Sequence, residues 1–177
     1  GTSLTLRSLP KDGEWLGASY YLYDDDGDGV KDTCYVYGTM SDTTSVCGSN
    51  FVARQQNYKT LGFYKVLSDN PDVTHAIINC SLGLRKSTQS IFSDCTKLTS
   101  LKFGENFDTT NITNMHSMFN NCKSSTSLDI SSFDTSNVTN MSCMFMYCSS
   151  LTILDVSNFN TSKVTDMHGM FRTCKSL

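Results

Sequence analysis

Apolar residues in the second half of the chain recur at a fixed interval. Phe107, Phe133 and Phe159 are each 26 residues apart, and three Met-Phe pairs downstream of them keep the same spacing. Over residues 138–148 the apolar positions recur every three or four residues, which predicts one face of a helix in each unit. The repeated pattern therefore indicates an array of similar units, preceded by a degenerate one over residues 91–101.

Each unit also contains a pattern typical of a short strand. Leu154 and Val156 alternate with a polar residue, and Leu128 and Ile130 do the same one unit earlier. A strand and a helix of this size cannot bury their apolar faces alone. We therefore expect the units to stack as an α/β repeat fold, a leucine-rich-repeat-like solenoid with a parallel sheet along one side.

Three further features of the unit follow from its sequence. Phe133 and its equivalents should form an internal aromatic column. Residues 134–136, Asp-Thr-Ser, should make the turn between strand and helix, with side chains bonded to nearby backbone groups. Threonines precede the predicted helices and are suitable N-cap residues, namely Thr113, Thr139 and Thr165.

The first 70 residues have a different pattern. Residues 20–23 and 34–37 are aromatic, β-favouring runs separated by an Asp-Gly-rich turn, which predicts a β-hairpin. Residues 63–67 and 74–78 are further strand candidates. Seven of the eight tyrosines occur at or before Tyr64, and seven of the eight methionines at or after Met115. The division predicts a β-rich cap region over 1–70 and the repeat solenoid over 71–177, truncated within its last unit.

Composition and charge exclude several classes of function. Charged residues make up 18% of the chain and the net charge is −3, with no basic stripe to bind nucleic acid. No apolar run is long enough to predict a membrane span. We found no paired carboxylates, no Ser-His-Asp order and no C-x-x-C spacing, and His75, His116 and His168 are expected at the surface. The sequence therefore predicts no enzyme and assigns no catalytic residue.

The eight cysteines fall into two groups. Four recur at one position of the repeat and are expected to be unpaired, buried residues: Cys95, Cys122, Cys148 and Cys174. The remaining four lie outside that series, and the sequence leaves their pairing open. Cys34 and Cys47 form the favoured pair, because they flank one short segment, while Cys80 and Cys143 have no assigned partner.

The turn of the predicted hairpin has the spacing of a calcium loop. Alternate carboxylates converge on hard cations, and Gly29 permits a sharp turn. Tyr35 occupies the position where an EF-hand has a bidentate Glu, and no flanking helices are predicted, so the sequence disfavours an EF-hand. Two interpretations stay open, a solvated acidic turn or a calcium site, with calcium as the sole cofactor considered. Its ligands would be Asp24, Asp26, Asp28 and Asp32.

The repeat resembles a known family. Residues 128–151 carry a strand, a Phe-Asp-Thr turn and a Met-Phe-x-x-Cys segment, and this order is similar to the BspA-type leucine-rich repeats, also called Mycoplasma lipoprotein-type repeats. The resemblance covers about residues 90–177. Trp15 and residues 35–40 also look like the β-hairpin leader found before such repeats. The chain departs from the pattern at Ser125, where Leu is expected, and at Asn160, where Asp is expected.

The resemblance implies an extracellular or cell-surface protein of a host-associated microbe that takes part in adhesion. Its partner would be a host matrix or cell-surface protein, or a glycan. Alternation within the predicted strands places five outward residues on the candidate binding surface: Lys102, Ser127, Asp129, Ile153 and Asp155. The alternative is a structural spacer without a ligand of its own. Self-association through the uncapped last repeat is also expected.

Overall fold

The computed structural model describes residues 8–46 and 59–177. Within them, five strands form one sheet and one short helix lies beside it. Residues 59–61 are also helical. In chain order the elements are β1 (Gly13–Trp15), β2 (Ala18–Tyr23), β3 (Thr33–Thr39), α1 (Phe63–Asp69), β4 (His75–Ser81) and β5 (Ser100–Phe103).

The sheet is mixed, with strands in the order β1-β2-β3-β4-β5. β1, β2 and β3 pair antiparallel, and Tyr21 lies opposite Tyr35 in the β2–β3 hairpin. β3 then pairs parallel with β4, and β4 with β5. The predicted hairpin is confirmed, because β-favouring aromatic runs flank a turn rich in Asp and Gly. One sheet thus includes strands from both sides of residue 70.

Two further strand predictions had opposite outcomes. The strand predicted over residues 74–78 is confirmed by β4, but the one over 63–67 is wrong, because these residues lie in α1. Phe63 and Val66, three positions apart, bury one helical face, and the Phe63 ring lies 5.0 Å from that of Trp15. A short apolar run fits either a strand or a helix, so tertiary packing decided its structure.

The predicted leucine-rich-repeat-like solenoid is wrong. The structure is a small, open, mixed sheet of five strands, and residues 86–177 do not form strand–helix units. Of the predicted repeat strands, only the first forms, as β5. Residues 128–130 and 154–156 are not strands. Their side chains still alternate, because exposed residues separate residues that are buried or half-buried. The Met-Phe segments are successive turns instead of helices.

Left-handed residues explain why no helix forms in the Met-Phe segments. Ser117 (φ 54°) and Asn121 (φ 62°) lie in this region of backbone conformation, and Cys143 (φ 56°) and Tyr147 (φ 62°) occupy the equivalent positions one repeat later. A non-glycine residue with positive φ cannot continue a right-handed helix. Because one occurs every four residues, each segment is divided into separate turns.

The backbone N–H groups of these turns are donated to the neighbouring repeat. Ser117 N–H donates to the Ser142 carbonyl at 2.9 Å, and Phe119 N–H donates to the Met144 carbonyl at 2.9 Å. Thr139 is no N-cap, because its N–H (2.8 Å) and its hydroxyl (3.1 Å) both donate to the Thr113 carbonyl. Backbone groups that would have bonded within a helix therefore connect one repeat to the next.

The side chains behind these turns form a phenylalanine stack. The rings of Phe92, Phe119, Phe145 and Phe171 follow one another at centroid distances of 5.7, 5.6 and 5.7 Å, with interplanar angles of 6°, 8° and 3°. The predicted column is confirmed in part. Phe107 and Phe133 are buried with ring centroids 5.9 Å apart, and Phe159 is half-buried. Phe133 also contacts Phe119 of the stack at 6.3 Å and 21°.

The cysteine prediction for the repeat is confirmed. Cys95, Cys122 and Cys148 are free and buried, and Cys174 is free and half-buried. The Cys122 thiol donates to the Phe92 carbonyl at 3.2 Å, which satisfies its polar hydrogen. Cys34, which was predicted to pair with Cys47, has a free and buried thiol. Cys47 itself lies outside the described residues.

Phe119→Ala should destabilise the protein by about 3–5 kcal/mol, because a fully buried ring is removed from the middle of the stack. Phe171→Ala is the matched control: Phe171 stacks on one side only and is 43% exposed, so its loss should cost much less. Chemical denaturation of both variants measures the difference. Equal losses of stability in the two variants would contradict the conclusion that the phenylalanine stack is the main support of the core.

Alkaline pH should also destabilise the protein. Burial raises the pKa of the Cys80 thiol from 9.0 to about 12, and that of Cys148 likewise to about 12. Because the folded state disfavours the thiolate, this stabilisation is complete below pH 9 and is lost as pH rises toward 12. The melting temperature should fall across that range, with a shallower slope in Cys80→Ala. Identical slopes in the two proteins would contradict this prediction.

Candidate functional site

The five predicted outward residues are all exposed. Lys102 lies on β5, and Ser127 and Ile153 are adjacent through an isolated parallel bridge. Ile153 is 70% exposed and could serve as an apolar anchor, although single exposed apolar side chains are ordinary on protein surfaces. Asp129 and Asp155 occupy equivalent positions in successive repeats. The structure therefore groups the last four on neighbouring repeats, whereas Lys102 belongs to the sheet.

The two aspartates of this group are held in place and ionised. Asp129 Oδ1 accepts hydrogen bonds from the Ser131 hydroxyl (2.6 Å) and backbone N–H (3.1 Å), and Asp155 Oδ1 accepts one from the Ser157 N–H at 2.8 Å. Hydrogen bonds from Ser131 and Ser157 lower the pKa of the respective carboxyls. Each carboxyl therefore carries a negative charge at neutral pH.

The acidic turn brings together three of its four predicted ligands. Carboxylate oxygens of Asp24, Asp26 and Asp28 lie within 4.8 Å of one another. Asp32 is not part of this group: its carboxylate accepts the Thr33 hydroxyl at 3.0 Å, and its carbonyl accepts the Thr74 N–H at 2.9 Å. Asp32 therefore joins the turn to β4.

Hydrogen bonds within the turn already use some of these oxygens. Asp24 accepts the N–H groups of Gly27 and Gly29, both at 2.7 Å, and the Gly29 bond is the main cause of its lowered pKa. For Asp26, a hydrogen bond from the Asp28 N–H lowers the pKa, but desolvation and the Asp28 charge outweigh it, so the pKa is raised. A cation would relieve this repulsion.

The outer face of the sheet carries four tyrosines, which we name the tyrosine face: Tyr21, Tyr23, Tyr35 and Tyr37. Their rings are half-buried and in mutual contact at centroid distances of 5.3–6.4 Å. Tyr20 points the other way, into the core, where its hydroxyl accepts a hydrogen bond from Asn70. The strand period of two separates the tyrosines in this way. Most of them therefore face solvent rather than forming a core for the cap.

A groove of about 320 Å³ adjoins the tyrosine face. Strand register produces it, because Tyr23 lies opposite Thr33, Thr33 opposite His75, and His75 opposite Ser100. Asp25 and Lys102 complete its polar lining. Sequence spacing alone does not reveal this groove, because its residues come from three separate segments that only the strand order brings together. Of the groove residues, only Lys102 was predicted as a site residue, because it lies at an outward position of a predicted strand.

The structure also brings a cysteine, a histidine and a carboxylate together. His168 Nδ1 lies 2.7 Å from Asp166 Oδ1, and its Nε2 lies 3.7 Å from the Cys143 sulfur. Burial raises the pKa of the Cys143 thiol, so it stays protonated at neutral pH, whereas a nucleophilic cysteine needs a lowered pKa. The Cys143 N–H also donates to the His168 carbonyl. The arrangement is thus a packing contact between repeats.

The calcium assignment of the acidic turn stays a prediction. Calcium titrated into chelator-treated protein should give heat with a dissociation constant of about 0.1–1 mM, typical of exposed carboxylate sites. Asp26→Asn should abolish this heat, because it removes the carboxylate that gains most from a cation. Asp72→Asn, an exposed aspartate outside the turn, is the control. No heat at millimolar calcium would end the hypothesis.

No helix among the described residues is long and apolar enough to cross a membrane. Neither the curated proteins nor the solved structures contain a match to the chain. A family model described as "Mycoplasma protein of unknown function, DUF285" matches residues 86–177, which are 92 of the 177 residues. The match covers the units in which the Phe-Asp-Thr and Met-Phe-x-x-Cys patterns recur. This chain therefore belongs to the DUF285 family.

Proposed function

We propose that this chain is a binding module of a cell-surface or secreted protein, and that it recognises a host or cell-surface macromolecule through the exposed residues of its repeats. The proposal combines the DUF285 assignment with the resemblance of the repeats to BspA-type repeat proteins. Proteins of that type are associated with adhesion. It assigns no catalytic activity.

One observation carries the proposal. Ser127, Asp129, Ile153 and Asp155 are exposed on a backbone that lateral hydrogen bonds tie to neighbouring repeats; Thr152 N–H, for example, donates to the Thr126 carbonyl at 2.9 Å. A backbone held in this way loses little further freedom on binding, which favours affinity. The group combines an exposed apolar side chain with two fixed negative charges. A basic, partly apolar patch on a protein partner would complement it.

A structural spacer is the alternative function. The lateral hydrogen bonds and the phenylalanine stack would suit a rigid stalk as well as a binding module. The two functions differ in one respect, because a spacer has no surface whose substitution changes binding while leaving the fold intact.

The double substitution Asp129→Ala and Asp155→Ala should weaken binding to an array of host matrix proteins by about tenfold, which corresponds to about 1.4 kcal/mol. The melting temperature should hardly change, since exposed substitutions rarely alter stability by more than about 0.5 kcal/mol.

The matched control is Asp108→Ala with Asp134→Ala. These aspartates are also exposed and make the same kind of hydrogen bond to a residue two positions ahead, but at a different place in the repeat. Binding that falls equally in both double variants would contradict the proposed surface. Absence of binding by the unmodified protein would favour the spacer.

A further inference from the structure

We propose that the groove between Tyr23 and Lys102 binds a neutral pyranose unit of a glycan. This inference rests on the proposed binding function and names a ligand class for the sheet end of the molecule. Three features of the groove support it: an aromatic wall, polar groups of opposite charge, and a floor whose backbone groups are already paired.

The aromatic wall is preorganised. The Tyr21 and Tyr23 rings lie 5.7 Å apart, and Tyr21 also contacts Tyr35 at 5.3 Å, so each ring is supported by a neighbour. Tyr35 is further fixed by the Asn79 amide, which donates to its hydroxyl at 2.8 Å. A half-exposed ring with a polar end suits a sugar, which presents C–H groups on one face and hydroxyls around its rim.

Two hydroxyls of the tyrosine face are free for a ligand. In the described part of the chain, neither Tyr21 nor Tyr23 forms a side-chain hydrogen bond, whereas the Tyr37 hydroxyl donates to the Pro10 carbonyl at 2.9 Å. Burial raises the pKa of Tyr21 and Tyr23, so both hydroxyls remain protonated and can donate. Tyr23, which lines the groove, can therefore bind a sugar oxygen, and Tyr21 lies directly beside it.

The charges in the groove favour a ligand without net charge. Asp25 follows β2 and Lys102 lies on β5, three strand spacings away, or about 14 Å. Among the described residues neither has an ion-pair partner. An acidic sugar could pair with Lys102, but Asp25 and the neighbouring cluster of Asp24, Asp26 and Asp28 would repel it. A neutral glycan can accept from the ammonium through one unit and donate to the carboxylate through another, since a single pyranose is shorter than the distance between the two groups.

The floor of the groove disfavours an extended peptide. A peptide that adds to a sheet needs free backbone N–H and carbonyl groups at a strand edge. Here Thr33 on β3 and His75 on β4 lie within the sheet, where each strand is paired on both sides. At Thr33 and His75 the groove therefore offers side chains and no backbone ladder, and only β5, which carries Ser100 and Lys102, lies at the edge of the sheet. Sugars, which are recognised through hydroxyls and ring stacking, fit this surface better.

Affinity electrophoresis of the whole chain in gels containing β-glucan, α-mannan, xylan or polygalacturonate tests the inference. At least one neutral polysaccharide should retard the protein more than polygalacturonate does. Tyr23→Ala should weaken this interaction by about tenfold, in line with the loss of ring stacking and one hydroxyl. Tyr23→Phe, which keeps the ring, should have a smaller effect, and Lys102→Gln should also weaken binding.

Tyr147→Ala is the control, because Tyr147 is an exposed tyrosine in a repeat turn, outside the groove. Melting temperatures of all variants separate lost binding from lost folding, and Tyr23→Phe keeps the test valid if Tyr23→Ala unfolds. No retardation by any neutral polysaccharide would overturn the inference, as would equal loss in Tyr147→Ala or a preference for polygalacturonate.

The failure of this inference can be separated from that of the proposed function. The matrix-protein array, run with the same preparations, depends on Asp129 and Asp155 and not on Tyr23. Binding to the matrix-protein array without binding to polysaccharide would refute the sugar site. It would leave intact the proposed surface of Ser127, Asp129, Ile153 and Asp155, which we name the repeat surface. Polysaccharide binding that Tyr23→Ala abolishes, without array binding, would support the sugar site and refute the repeat surface.

Discussion

Lateral backbone hydrogen bonding between repeats is the constraint on which the second half of this protein depends. Thr88, Ser90, Phe92 and Asp94 each donate an N–H to a carbonyl of the following repeat, 26 residues away, at 2.8–3.0 Å. The same pattern recurs between each later pair of repeats. This pattern requires alternate N–H groups to point toward the neighbouring repeat. The residues with left-handed backbone conformation in each turn orient them in that direction. A helix would have used the same groups internally, so the two arrangements exclude each other.

The core follows from this arrangement. Equivalent side chains of successive repeats are brought above one another, so phenylalanines form a parallel stack and cysteines form a series of buried thiols. Buried polar groups are satisfied in the same way. The Thr135 hydroxyl donates to the Asn160 carbonyl and accepts the Asn160 N–H, while Ser125, in place of the expected Leu, donates to the Leu98 carbonyl. Polar residues thus become part of the core without leaving unpaired groups.

The proposed binding surfaces are those that packing does not use. The repeat surface combines Ile153 with two fixed aspartates, and the sheet contributes the tyrosine face with its groove. The two surfaces differ in chemistry, since the first is acidic and partly apolar, and the second is aromatic with opposed charges. A binding module with both could contact a protein and a glycan at once, which would raise its effective affinity for a cell surface.

The sequence by itself determined the repeat period, the unpaired buried cysteines, the β2–β3 hairpin and the alternation of buried and exposed residues around Asp129. These features depend on local spacing and on which side chains avoid water. Tertiary structure decided the rest: α1 in place of a strand, turns in place of helices, and a groove that unites Tyr23 with Lys102. A spacing of three and four residues brings apolar side chains to one side in a helix, and in this protein successive turns did the same. Only the direction of the backbone hydrogen bonds, within a segment or toward its neighbour, distinguishes the two, and that direction depends on residues 26 positions away.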